Sequence, residues 1–185
     1  MEQAQSIEGT LTADEFFVWL ETQSKKYELI AGQPVLMAGA SIAHDAIVTN
    51  AIRVIGNQLL GKPCRPRSAD IAIRVADDQV RYPDLSVDCG KPSSTAREAG
   101  EPVLVIEVES KSTSMVDAVD KLEEYQSIAS MQYIVLVATE KHRVRFYFRD
   151  EHGTWCNQVL IGRDSAIVMP LIGLMVTLGD LYFDI

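Results

Sequence analysis

The segment Pro102-Val103-Leu104-Val105-Ile106-Glu107-Val108 is the part of the chain that decides its fold class. Apolar residues fill it almost without interruption, which is typical of a central β-strand that is covered on both faces. A helical segment that ends near Ala129 comes next, and then a second strand-like run from Tyr133 to Ala138. A strand–helix–strand passage of this kind predicts a right-handed, parallel crossover. The expected fold class is therefore α/β, with a mixed β-sheet flanked by helices.

The residues before this segment predict helices and hairpins. Thr12 and Glu15 have the spacing of a capping box, which predicts a short helix. The run from Tyr27 to Met37 predicts a β-hairpin that turns at Gly32. Further elements are expected as follows: a long helix from about Ser41 that ends before Gly61 and Pro63, a strand from Asp70 to Val75, a turn at Asp77-Asp78, one returning strand from Gln79 to Val87, and a loop over residues 90–100.

The residues after Ala138 predict more strands. The segments with strand-like patterns run from Arg143 to Phe148, from Trp155 to Ile161 and from Ala166 to Pro170. No internal repeat and no linker between domains interrupts the pattern. We therefore expect one continuous fold.

The composition fits one folded domain and excludes several other classes of protein. With 185 residues and a mass of 20.5 kDa, the chain predicts a single domain over residues 1–185, with a flexible start at residues 1–10. It lacks an apolar run long enough to span a bilayer and a secretory signal at its start, which predicts a cytoplasmic protein without a membrane partner. Cys64, Cys89 and Cys156 are odd in number and scattered, so reduced thiols are expected.

The charge is unevenly distributed along the chain. A formal net charge of −9 and a pI near 4.8 argue against a protein that coats nucleic acid non-specifically. Between Arg53 and Arg81, however, six basic residues stand against three acidic ones, so this window carries +3 and the rest of the chain −12. Two interpretations remain open: a local patch that meets phosphate, or an ordinary set of solvated strand and loop charges.

Two acidic residues stand where apolar residues would stabilise the sheet better. Asp84 follows Pro83 inside a predicted strand, and Glu107 lies near the end of the central strand, with Glu109 on the same face. If the two strands are neighbours, the Asp84 and Glu107 carboxylates converge. Their mutual repulsion then either raises the pKa of one of the two carboxyl groups or requires a bound cation. Mg²⁺ would bind such oxygen ligands: two carboxylates, a main-chain carbonyl, assigned here to Val108, and water.

Further polar residues have positions that could complete this site. Asp117, Lys121 and Tyr125 are spaced four apart and share one helical face, from which the Lys121 ammonium could reach the carboxylates. Such a cation could stabilise charge in a phosphoryl-transfer transition state. Glu28 is a candidate for an additional ligand or a supporting hydrogen bond, whereas Tyr125 is more typical of a core residue and His44 of a structural one.

Several short strings in the chain are individually weak signals but are fairly specific in their order and spacing. They are Tyr27-Glu28-Leu29-Ile30-Ala31-Gly32, then His44, Tyr82-Pro83-Asp84-Leu85-Ser86-Val87 and Leu104-Val105-Ile106-Glu107-Val108, followed by Ser110, Ser112-Thr113, Asp117, Lys121 and Tyr125. Together they resemble the Uma family, whose members are classed as bacterial restriction endonucleases within the PD-(D/E)xK phosphodiesterase superfamily. The resemblance runs from about residue 11 to the C-terminus.

The resemblance implies a restriction-endonuclease-like core and a magnesium-dependent endonuclease that hydrolyses phosphodiester bonds in DNA. Asp84 and Glu107 would bind Mg²⁺, for which Mn²⁺ can substitute. The superfamily's lysine normally stands two positions after the second acid, where this chain has Glu109. In similar proteins a lysine of the following helix takes that role, and Lys121 matches it, so Asp84, Glu107 and Lys121 are the expected catalytic residues. Glu109 either binds a second ion or impairs catalysis.

Two other functions remain as alternatives, and an oligomeric state is expected. The protein could be a catalytically inactive nucleic-acid-binding or protein-interaction domain on the same fold, as the acidic surface and Glu109 suggest. A glycosidase acid pair is less favoured, because no cluster of aromatic residues for sugar stacking is evident. Because an enzyme that cuts both strands of DNA benefits from two active sites, we expect a homodimer.

Overall fold

The strand that contains Glu107 lies in the interior of a six-stranded sheet. The computed structural model describes residues 9–91, 93–109 and 115–185, with the backbone alone for residues 115–118. In chain order the elements are α1 (Ala13–Leu20), β1 (Tyr27–Ile30), β2 (Gln33–Leu36), α2 (Ile42–Leu59), β3 (Arg65–Ser68), β4 (Ile73–Ala76), β5 (Gln79–Arg81), β6 (Leu85–Asp88), β7 (Pro102–Glu109), α3 (Met115–Ser127), β8 (Tyr133–Ala138), β9 (Arg143–Arg149), β10 (Trp155–Ile161), β11 (Ala166–Met169), a 3₁₀ turn (Pro170–Ile172), β12 (Leu174–Thr177) and α4 (Leu178–Leu181).

The strands form a mixed six-stranded sheet, a four-stranded sheet and a hairpin. The six-stranded sheet has the order β10-β9-β8-β7-β6-β3, the four-stranded sheet has the order β2-β1-β5-β4, and β11 pairs with β12. Strands β7 and β8 run parallel and are connected through α3, whereas β6 lies antiparallel to β7. The predicted α/β class, the mixed sheet and the parallel pairing across the helical connection are confirmed.

The two faces of β7 pack against different helices. Ile106 and Val108 belong to a core cluster with Ile47 and Ile55 of α2. Val105 packs instead in a cluster with Tyr125 of α3. Because side chains alternate along a strand, Glu107 and Glu109 face α3 together with Val105. The prediction that both glutamates share one face is confirmed.

The N-terminal elements follow their local signals. Thr12 and Glu15 form the predicted capping box at the start of α1. Strands β1 and β2 form the predicted hairpin, in which Ala31 and Gly32 have φ values of 47° and 74°. Positive φ at both central residues is the requirement of the two-residue turn that matches the strand twist. Ser41 caps α2 through the His44 N–H, as expected.

The predicted returning strand from Gln79 to Val87 is wrong, because two strands occupy it. Strand β5 pairs in the four-stranded sheet and β6 in the six-stranded sheet. Pro83 lies between them, and its missing N–H interrupts a ladder of hydrogen bonds. Asp84 therefore directly precedes β6 instead of lying inside a strand.

The expectation of three reduced thiols is also wrong, since Cys64 and Cys89 form a disulfide bond. Residues Arg65 and Asp88 are partners in the antiparallel ladder of β3 and β6. The next pair outward is Cys64 and Cys89, so the ladder brings the two thiols together. Their separation of 25 residues along the chain carries no local signal of this contact. Cys156 is free.

Other parts of the chain were not predicted or lie outside the described residues. Strands β3 and β12 and helix α4 had no sequence prediction; β3 has the sequence Arg-Pro-Arg-Ser, which shows no apolar alternation. Residues 110–114, which include Ser110 and Ser112-Thr113 of the family resemblance, lie outside the described residues, as do residues 1–8 of the predicted flexible start at residues 1–10. Among the helices that the structure describes, none has the length and apolar character needed to cross a membrane.

Candidate active site

Asp84 is held at the end of β7 by contacts from two elements. Its Oδ2 accepts a hydrogen bond from the Val108 backbone N–H at 2.8 Å and lies 3.1 Å from Nε2 of His44, near the start of α2. The hydrogen bond to Asp84 is the main cause that raises the pKa of His44, although burial opposes it. Both contacts engage Oδ2 of Asp84.

Glu107 is the most perturbed carboxyl group of this site. Its pKa is raised to about 7, with burial as the largest cause and the negative charge of nearby Asp84 as a smaller one. Lys121 and a 2.7 Å hydrogen bond from the Tyr125 hydroxyl act in the opposite direction. Tyr125 thus donates its hydroxyl to Glu107, and Asp84 lies near enough for its negative charge to act on the Glu107 carboxyl.

Lys121 reaches the carboxylates from α3, as expected. Its Nζ lies 3.6 Å from Oε1 of Glu107 and 3.4 Å from Oε1 of Glu28. Glu28, on β1, also accepts hydrogen bonds from Arg81 and from the Tyr82 backbone N–H. Glu28 thus connects the four-stranded sheet to the lysine and supports its position.

Arg81 is a residue of this region that the sequence analysis did not assign to the site. It binds Glu28 at 2.9 Å and Glu124 through two nitrogens at 2.7 and 2.8 Å. Its side chain is only 2% exposed. Glu124 also accepts a hydrogen bond from Gln79. This buried network fixes α3, and with it Lys121, against β1 and β5. The available sequence signal was an arginine two positions before Pro83, and it does not indicate which residues Arg81 contacts.

The remaining predicted residues have other positions. Glu109 forms an ion pair with Arg145 of β9, so its charge is compensated away from the Asp84–Glu107 pair. The Val108 N–H binds Asp84, and the metal role of its carbonyl stays a prediction. Asp117 belongs to α3, but its side chain lies outside the described residues. His44 was expected to be structural, and its side chain directly contacts Asp84.

A cleft of about 720 Å³ opens beside Asp84 and His44. Lys25, Lys26 and Asp70 also line it. Five of the six cations of the +3 window have partners elsewhere. Arg81 is buried, Arg74 and Arg67 pair with Glu98 and Asp88, and Lys62 and Arg65 bind the Gly173 and Pro63 carbonyls. The structure thus favours the interpretation of that window as ordinary structural charges.

The pair Asp84 and Glu107 fits a divalent cation. Carboxylate oxygens are the donors that Mg²⁺ prefers, and Mg²⁺ commonly takes one or two carboxylates from a protein and keeps several waters. Within the described part of the chain, no three His, Cys, Asp or Glu side chains are grouped as metal ligands, so a larger protein cage is not built there. Burial and the charge of Asp84 both disfavour the Glu107 carboxylate, and a bound cation would offset both.

The raised pKa of Glu107 predicts the pH dependence of stability in metal-free protein. The unfolded carboxyl has the ordinary pKa of 4.5 and the folded one a pKa of about 7, so the folded state holds the proton more tightly. The contribution to stability is therefore greatest below about pH 4.5 and is lost as the pH rises from about 4.5 to about 7, by a few kcal/mol at about 1.4 kcal/mol per pKa unit. Urea unfolding in EDTA measures it, and Glu107→Gln should remove most of the slope. An unchanged slope in this variant would contradict the assignment.

The six-stranded mixed sheet with helices on both faces defines a restriction-endonuclease-like α/β fold. The chain belongs to the Uma2 family, described as "Putative restriction endonuclease", whose sequence profile matches residues 13–178. The resemblance drawn from the sequence is thus confirmed.

Individual relatives agree with this assignment. The crystal structure of a putative nuclease belonging to DUF820 from Anabaena variabilis ATCC 29413 matches with a TM-score of 0.73 over 93% of this chain and 97% of that chain; at 20% identity, the match shows the fold. Two uncharacterized proteins of Synechocystis sp. (strain ATCC 27184 / PCC 6803 / Kazusa) are also similar. Protein slr1290 is 29% identical over 147 residues, which cover 78% of this chain and 77% of its own. Protein sll1609 is 27% identical over 161 residues, which cover 85% of this chain and 91% of its own.

Proposed function

We propose that this protein is a divalent-metal-dependent endonuclease that hydrolyses phosphodiester bonds in DNA. Membership in a family described as restriction endonucleases supports the nuclease class. The observation that carries the finer proposal is the convergence of Asp84, Glu107 and Lys121 at one end of β7. This combination of two acids and one cation suits phosphoryl transfer, which depends on positioning and charge stabilisation.

The two carboxylates would hold Mg²⁺, or Mn²⁺ in its place, together with the Val108 carbonyl. When bound, the ion supplies a polarised attacking water and neutralises charge at the scissile phosphate. His44 and the Val108 N–H hold Asp84 in one orientation through its Oδ2. Tyr125 holds Glu107 through its Oε1. These contacts leave the carboxylates preorganised, so little rearrangement is needed when DNA binds.

Lys121 would stabilise negative charge on the phosphate. Its ammonium lies between Glu107 and Glu28, which hold it near the end of β7. A lysine from the helix thereby takes the part that the superfamily usually gives to the position of Glu109. The ion pair between Glu109 and Arg145 keeps the third acid from adding its charge to the site.

The test of this proposal is cleavage of plasmid DNA and of single-stranded DNA with Mg²⁺ or Mn²⁺, and with EDTA as the metal-free control. We expect cleavage with either ion and none in EDTA. DNA binding without any metal-dependent cleavage would instead support a catalytically inactive nucleic-acid-binding protein on the same fold.

Lys121→Met should decrease the rate of cleavage about 100-fold, since the loss of one preorganised charge-stabilising donor has effects of this order. Binding of Mn²⁺, followed by electron paramagnetic resonance, should persist because the two carboxylates remain. Lys91→Met, an exposed lysine outside the site, is the matched control and should cleave at the wild-type rate. Equal rates for the two variants would remove Lys121 from the mechanism.

We further propose that the chain acts as a single domain, in the cytoplasm and as a homodimer. A DNA substrate supports the cytoplasmic location. Two active sites in one assembly would allow both strands of a duplex to be cut.

A further inference from the structure

Strand β10 is an edge of the six-stranded sheet that lacks the usual protection of an edge. All seven of its residues pair with β9 in unbroken register, and its sequence, Trp-Cys-Asn-Gln-Val-Leu-Ile, contains neither charge nor proline. Among the residues that the structure describes, no strand lies beyond it. Alternate backbone N–H and C=O groups of such a strand point outward and are ready to pair with another strand.

The opposite edge of the same sheet is protected. Strand β3 has only four residues, and they include Arg65, Pro66 and Arg67. Short length, charge and proline are the features by which proteins prevent pairing between sheet edges. Within one sheet, therefore, one edge is closed to pairing and the other is open.

The sequence of β10 is complementary to itself around Gln158. When two copies of the strand run antiparallel with Gln158 at the centre, each Trp155 lies opposite Ile161 of the other copy, Cys156 opposite Leu160, and Asn157 opposite Val159. Two of these three kinds of pair place apolar side chains beside each other, and such cross-strand pairs stabilise a sheet. Ile161 is 70% exposed and Val159 is 49% exposed, so both have apolar surface to bury.

The charges near the two ends of β10 are also complementary. The turn before Trp155 carries Asp150 and the exposed Glu151, which lies 3.6 Å from Nε2 of His152, and Arg149 beside the turn packs over the Trp155 ring. A cleft of about 520 Å³ at the other end is lined by Lys141, His142 and Arg143 together with Val159 and Ile161. Antiparallel pairing brings the acidic turn of one copy beside the basic cleft of the other. Glu140, Arg163 and Asp164 are nearby in the sequence but do not line this cleft.

A second cleft gives room for a larger contact on the other face of the strand. It has a volume of about 650 Å³, and its walls include Gln158, Phe146, Phe148 and Leu171. Stable interfaces bury about 1,200 Å² or more, which exceeds what two short strand edges provide alone. The two clefts beside β10 offer the additional surface to side chains of a second copy.

We propose that β10 pairs antiparallel with β10 of a second copy of this chain, with Gln158 on the two-fold axis. The two six-stranded sheets then form one continuous sheet. This inference rests on the homodimer proposed above and adds its surface and register, and it does not depend on the nuclease chemistry. The boundary between the two β10 strands is called the seam below. Strands β8 and β9 separate β10 from β7, the strand that carries Glu107.

The first test is the mass of the full chain in solution, by analytical ultracentrifugation at tens of micromolar. Wild type should have twice the mass of 20.5 kDa. Gln158→Lys places two like charges opposite each other across the seam and should weaken dimerisation more than tenfold. Gln33→Lys, which changes an exposed glutamine of β2, should remain dimeric. Unchanged circular dichroism of both variants would show that folding is preserved.

The second test is register-specific crosslinking in a Cys156→Ser background. Gln158→Cys should crosslink to its copy under mild oxidation, because residues on the axis face each other. Asn157→Cys should not, since its counterpart lies diagonally across the ladder, about 7 Å or more away. Absence of the Gln158→Cys crosslink would overturn the proposal.

The outcomes also separate this inference from the proposed function. A wild-type dimer that Gln158→Lys does not weaken overturns the seam and leaves the homodimer standing. A monomeric wild-type protein overturns both the seam and the homodimer, even if it cleaves DNA. Loss of DNA cleavage in a normal dimer would contradict only the nuclease proposal.

Discussion

Asp84→Asn is expected to decrease metal-dependent DNA cleavage by about 1,000-fold or more, because the site loses one of the only two carboxylates assigned to the cation. The asparagine side chain has the same shape, and its oxygen can still accept the hydrogen bond from the Val108 N–H. The fold should therefore be retained, while affinity for Mn²⁺ and cleavage decrease together. The cleavage rate is measured at saturating metal, and the affinity for Mn²⁺ is measured in a separate titration.

Asp70→Asn is the matched control for this variant. Asp70 lines the same cleft as Asp84, but it is largely exposed and its partner is Lys26. Removal of its charge should change cleavage by less than a few fold. If Asp84→Asn cleaves as fast as this control, Asp84 is not a metal ligand and the proposed mechanism fails.

Arg81→Met should destabilise the protein by about 3–5 kcal/mol, which is the usual consequence of removing one partner from a buried ion pair. The variant leaves the carboxylates of Glu28 and Glu124 without their buried cation. Their side chains are only 9% and 19% exposed, so water cannot fully replace the guanidinium. Urea unfolding at constant pH measures the change in the free energy of unfolding.

Arg97→Met tests whether burial causes this effect. Arg97 also pairs with a glutamate, Glu21, but both side chains are more than half exposed. Exposed pairs contribute about 0–1 kcal/mol, so this variant should have nearly wild-type stability. A loss of less than 1 kcal/mol in Arg81→Met would show that the buried network does not stabilise the contact between α3 and the sheets.

Local patterns were enough to predict the elements whose stability depends on their own sequence. The capping box at Thr12, the hairpin turn at Gly32 and the apolar strand around Ile106 all formed where expected. Each depends on interactions between residues close in the chain or on burial of both strand faces. The short strand β3 was missed because Arg-Pro-Arg-Ser has no apolar period, and pairing with β6 alone makes it a strand.

In the candidate site, too, some features could be predicted from the sequence and others could not. Sequence reasoning selected Asp84, Glu107 and Lys121; in the structure Lys121 contacts Glu107, and Asp84 accepts a hydrogen bond from the N–H of the adjacent Val108. It did not assign the contact of His44 with Asp84 or the partners of Arg81. These contacts join residues that are more than 35 positions apart, so they depend on how the sheets and helices pack.

The sequence by itself determined the α/β class, the central position of β7 and the presence of two acids and a lysine suited to phosphate chemistry, because these follow from residue type and short-range periodicity. Tertiary structure alone decided that β5 and β6 diverge at Pro83, that Cys64 meets Cys89, and that Arg81 joins Glu28 to Glu124. The physical reason is that hydrogen-bonded ladders and buried charges are satisfied by partners distant in the chain, and only the packed fold selects those partners.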